Sequence, residues 1–85
     1  MTHYRTTFTD GQVREIKNSR RQYSHAWRVV WNNPDDIARA SFGFAGSREL
    51  AEKAARSTVS TVQGRARPGY VPPVCVTSIA PVEIL

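Results

Sequence analysis

One cysteine, two histidines and only two lysines in 85 residues leave little material for most site chemistries. Cys75 has no second thiol to pair with, so no disulfide within the chain staples the fold. It stands in the apolar run VPPVCVTSIA and reads as a small buried hydrophobe. A lone cysteine also fits a reducing compartment. His3, His25, Cys75 and scattered acids assemble no metal-ligand set. There is no glycine-rich phosphate cradle, no Ser/His/Asp or Cys/His pairing, and no carboxylate pair set to flank a cleft. The chain therefore reads as non-enzymatic, with no cofactor. No apolar run approaches the ~20 residues that span a bilayer, and MTHYRTTFTD lacks the apolar centre of a signal peptide. A cytoplasmic location with no membrane partner is the expectation.

What the chain does have is positive charge. Twelve Lys+Arg against seven Asp+Glu give a net +5. On one small domain spanning 1–85, that surplus favours polyanionic partners, nucleic acid first. Ten of the twelve cations are arginine. Arginine grips phosphate and guanine edges with two parallel hydrogen bonds, which lysine cannot do. A GC-rich coding bias would raise arginine over lysine just as well, so the enrichment alone decides nothing.

Local signals place the elements in the order β-β-β-β-α-β. Asp10-Gly11 suits a two-residue type I′ hairpin turn between strands at about 3–9 and 12–18. A polar connection, SRRQ, leads to a Tyr-, Trp- and Val-rich strand over 23–32. The turn Asn33-Pro34-Asp35-Asp36 precedes a fourth strand over 37–44. Ser47 then caps a helix with Glu49 in its first turn. Its apolar stripe is Leu50, Ala51, Ala54, Ala55, Thr58, Val59 and Val62. Residues 64–73, GRARPGYVPP, read as a loop. VCVTSIA at 74–80 is a further strand that Pro81 ends or confines to an edge. The expected fold is α+β: a four-stranded antiparallel meander, one helix on one face, and an extra C-terminal strand.

Register assigns the faces. A two-residue first loop pairs Phe8 with Val13 and Thr7 with Arg14, and a four-residue second loop pairs Trp31 with Ala38 and Trp27 with Phe42. Side chains alternate across a strand and paired residues share a face. Tyr23, His25, Trp27, Val29, Trp31, Ala38, Ala40, Phe42 and Phe44 then lie under the helix, with His25 a satisfied edge histidine. Arg5, Arg14, Arg28 and Arg39 share the exposed face. A one-residue slip would exchange the faces and expose the aromatics as a platform for stacked bases.

WRVVW, ARASFGF and AGSRELAEKAAR carry a resemblance. Residues 4–58 resemble the three-strand-plus-helix DNA-binding domains of plant AP2-type factors and of phage integrase arm-binding domains. The resemblance implies that Arg5, Arg14, Arg28 and Arg39 reach base edges while Lys17, Arg20 and Arg21, at the rim of that face, hold phosphates. In length and arginine usage the whole chain also resembles small accessory proteins of phages infecting high-GC actinobacteria. That second resemblance implies a host-cell cytoplasmic protein that binds one host protein. The contact would run through the 74–80 edge strand, with Val74 and Val76, and through the 64–73 loop, with Tyr70 as anchor. Homodimerisation through the same strand is compatible with either reading.

Overall fold

A computed structural model describes residues 1–32, 37–64, 69 and 72–85. The strands are β1 (Thr2–Thr7), β2 (Val13–Asn18), β3 (His25–Asn32), β4 (Ala38–Ala45) and β5 (Val76–Ile84), with one helix, α1 (Arg48–Gln63), between β4 and β5. The class is α+β and the element order is the expected one. The sheet, however, is not a meander with an appended strand. Its five strands lie in the order β2-β1-β5-β3-β4, and neighbours are antiparallel throughout.

β5 is what joins the two hairpins. It pairs with β3 over Val76–Pro81 and with β1 over Val82–Ile84. Both β4 and β5 run antiparallel to β3, so they are parallel to each other and need a long crossover between them, which α1 supplies. Pro81 sits within β5, where proline is normally excluded because it cannot donate to the ladder. It falls where the strand changes partners, so its missing N–H disrupts neither ladder. Its carbonyl accepts from the Thr6 hydroxyl at 2.9 Å, and the next N–H, of Val82, donates to the Ser24 carbonyl at 3.0 Å.

Both hairpin registers differ by one residue from the expected ones, for the same reason. The Gly11 N–H donates to the Phe8 carbonyl, the Phe8 N–H donates to the Gln12 carbonyl, and Gly11 has φ 85°. That is a three-residue loop ending on a left-handed glycine, not a two-residue type I′ turn. It pairs Thr7 with Val13 and Thr6 with Arg14. In the second hairpin Asn32 pairs with Ala38, so the loop is five residues long where four were expected; its residues 33–36 lie outside the described residues. Trp27 consequently faces Gly43, and Arg28 faces Phe42.

The slip moves side chains between faces. Trp27, Val29, Trp31, Arg39 and Ala45 share one face, while Ala26, Arg28, Val30, Ala40, Phe42 and Phe44 share the other. Ala26 and Val29 are both fully buried, so both faces of β3 are covered. Phe8, from the tip of the first hairpin, packs with Ala26, Ala80, Phe44 and Val82 on one side. The helix packs on β3, β4 and β5 and covers Val29 and Ala45 on the other, its buried Ala51 and Ala55 allowing close approach. Phe42 and Phe44 are therefore not under the helix. Tyr23 is not there either: its ring stands 5.1 Å from Tyr4 and 5.7 Å from Phe44, on the hairpin side. Ser47 caps the helix, accepting the Leu50 N–H at 3.1 Å, but the Leu50 side chain is mostly exposed and leaves the expected stripe.

Gly43 is there because Trp27 lies across it. A Cβ at position 43 would sit 2.7 Å from the indole Nε1 and 2.9 Å from Cε2. Gly43→Ala is expected to lower stability by about 1–3 kcal/mol, since the ring must leave a packed position. Thermal unfolding checks this, and a shift in tryptophan emission should accompany it.

Candidate nucleic-acid interface

The four strand arginines do not share a face. Following register across β1, β5, β3 and β4, Arg5 and Arg39 lie on the helix side of the sheet, and Arg14 and Arg28 on the opposite side. Arg28 is not a surface group at all. It is 8% exposed, with its guanidinium 4.5 Å above the Phe8 ring. Its Nη1 donates to both Asp10 carboxylate oxygens, at 3.0 and 2.9 Å, and to the Gln12 side-chain carbonyl at 3.1 Å. Its Nε is buried with no hydrogen-bond partner. The Arg28 hydrogen bonds, then the Gln12 backbone N–H, hold the Asp10 carboxyl below its ordinary pKa.

The other three differ from one another. Arg5 donates to Glu83 at 3.2 Å. Arg14 lies over Phe42 at 5.1 Å, and Arg39 is exposed on β4. Of the residues expected to touch a partner protein, Val74 and Val76 are exposed, and Tyr70 falls outside the described residues.

Charge pairing leaves a different group standing. Asp10, Glu52 and Glu83 are taken up by Arg28, Arg48 and Arg5 respectively, and the Glu15 carboxylate lies 3.2 Å from the His3 ring. Among the described residues, Arg14, Lys17, Arg20, Arg21, Arg39, Lys53 and Arg56 form no ion pair. Three of these fall within five residues of one another, at the end of β2 and in the connection 19–24.

That connection is held in shape. The Asn18 side-chain carbonyl accepts the N–H groups of Arg20 at 2.8 Å and Arg21 at 3.2 Å, which turns the chain. The Asn18 amide donates to the Tyr23 hydroxyl at 2.9 Å, and the Tyr4 hydroxyl donates to the Arg21 carbonyl at 3.0 Å. The backbone is thus anchored while the side chains of Lys17, Arg20 and Arg21 remain exposed. A cleft of about 390 Å³ opens beside it, lined by Thr2, Tyr4, Gln22, Tyr23, Ser24, Gly46 and Ile84. The helix begins at its rim, Gly46 lying against the Gln22 carbonyl. Such a turn can present three cations to successive phosphates without ordering a loop first.

The sequence reading placed Lys17, Arg20 and Arg21 at the rim and the strand arginines at the centre. The signal that could have separated them is Asn18 two and three residues before Arg20 and Arg21, an Asx turn in waiting. Among the described residues no group of three or more His, Cys, Asp or Glu could hold a metal ion, and no helix is long and apolar enough to cross a membrane. No family model, no curated protein and no solved structure matches this chain.

Proposed function

We propose that this chain is a small non-enzymatic nucleic-acid-binding module whose contact surface is the β2–β3 connection. Lys17, Arg20 and Arg21 would hold backbone phosphates there, and the cleft alongside leaves room for a sugar or base. The observation that carries the reading is the concentration of unpaired positive charge at the end of β2 and on the rigid turn that follows, while Asp10, Glu52 and Glu83 are paired with Arg28, Arg48 and Arg5. It does not lean on the resemblance to three-strand-plus-helix domains, because β2 and β3 are not neighbours here. Labelled duplex and single-stranded DNA and RNA, titrated at ~50 mM salt, should bind saturably. Lys17→Ala/Arg20→Ala/Arg21→Ala should weaken that binding at least ~10-fold and leave the fold intact, since the turn is made by Asn18 and by backbone atoms. Absence of binding by every one of these nucleic acids ends the reading.

A module that binds a host protein, as a phage accessory protein would, is the second reading. The exposure of Val74 and Val76, at 82% and 61%, favours it. A single stoichiometric partner retained at high salt would support it against nucleic acid.

A further inference from the structure

The two terminal strands of the sheet are protected very differently. β2 carries Arg14, Glu15 and Lys17, charges of both signs that discourage pairing with another strand. β4 reads ARASFGFA, with no proline, no lysine and no acid, and Ala38, Arg39, Ala40 and Phe42 are exposed. Every second residue of a terminal strand directs its N–H and C=O outward, so among the described residues β4, the last strand of the sheet, offers an open row of donors and acceptors.

The surroundings of that edge have their own chemistry. On the side away from the helix the tip of the first hairpin covers Ala26, Ala80 and Arg28. Beyond it, Val76, Val30 and Ala40 form one rung across three strands, and Phe42, 45% exposed, stands on the rung of Arg28 itself. Arg14 covers the Phe42 ring on that side, and Arg39 stands on the helix side. Neither arginine forms an ion pair, and among the described residues β3 and β4 contain no carboxylate.

We infer that the outer edge of β4, over Ala38–Phe42, takes an extended segment of a partner protein as a sixth strand. That segment alternates apolar side chains, which lie on Phe42 and Ala40, with acidic ones, which meet Arg39. Main-chain hydrogen bonds would supply affinity and the alternation would supply selectivity. Charge decides against a second copy of this chain. Pairing β4 with itself would bring two Arg39 and two Arg14 side chains into one interface with no described carboxylate to oppose them, and like charges brought together are strongly unfavourable.

The test uses the full chain and two capped synthetic peptides, one alternating glutamate with valine and one alternating lysine with valine. The amide resonances of 38–42 should shift and gain exchange protection with the glutamate–valine peptide, with half-saturation at or below about 1 mM. The lysine–valine peptide should bind at least ~10-fold more weakly, and Arg39→Glu should invert the preference. The inference is overturned if neither peptide binds, or if the shifts fall outside β4 and its rung partners. It is equally overturned if both peptides bind alike, or if light scattering shows the free chain already dimeric through β4.

Discussion

A chain ended at Gly64 is expected to be unfolded. Without β5 there remain two hairpins and a helix, and no backbone pairing connects β1 to β3. An isolated hairpin is marginal in water, and a three-stranded or larger sheet is needed for independent stability. The truncation also removes Ala80 and Val82 from the packing around Phe8 and Ala26, the Thr6 hydrogen bond to Pro81, and the Arg5–Glu83 pair. Circular dichroism and one-dimensional NMR should show loss of the sheet and of dispersed amide resonances. If 74–80 were an extra strand on a self-sufficient meander, the shortened chain would keep a cooperative transition. Deleting the C-terminus therefore cannot serve as a test for loss of a partner, because it removes the fold with it.

Arg28→Ala should be the most damaging single substitution of a charged residue. It removes three hydrogen bonds and the packing of the guanidinium on Phe8. Together these are worth about 3 kcal/mol, against roughly 4–12 kcal/mol for a domain of this length. Tm should fall by roughly 15–20 °C. Arg28→Met keeps the stem over the ring and should recover part of the loss. A solvent-facing arginine on a sheet would change stability by no more than about 0.5 kcal/mol. Acid should reveal the same pair. The Asp10 carboxyl is depressed in the folded state, so its contribution is full above its unfolded-state value of about 3.9 and is lost as pH falls through the lower folded value. The stability difference between the native chain and Asp10→Asn should be flat from neutral pH to about 5 and close below about 4.

The elements were legible because their signals are local. Asp-Gly, Asn-Pro-Asp-Asp and Gly-Ser punctuate the chain at the observed breaks, and Ser47 caps the helix as its position suggested. Pairing was not legible, because it depends on loop length to a single residue. Asp10-Gly11 fits a two-residue loop, yet the same dipeptide also ends a three-residue loop with Gly11 left-handed, and Asp10 is then free to turn its carboxylate onto Arg28. One added residue in the second hairpin loop put Arg39 on the face of the tryptophans, whereas Arg28 keeps its expected face, away from the helix, and is buried because Phe8 and Asp10 of the first hairpin close over it. Strand order was hidden for a related reason: the partner of β1 and β3 lies some fifty residues downstream of β3, beyond any local pattern. Pro81 argued for an edge, and only a strand that changes partners at that position reconciles it with the interior.

The most direct measurement of the central claim is the slope of log affinity against log salt concentration for one DNA duplex. If Lys17, Arg20 and Arg21 each neutralise a phosphate, removing all three should flatten the slope by about 2.7. Arg5→Ala/Arg39→Ala, on the helix side of the sheet, should leave it unchanged. Equal slopes for the native chain and the triple variant, or a flatter slope for the Arg5/Arg39 variant alone, would contradict the account.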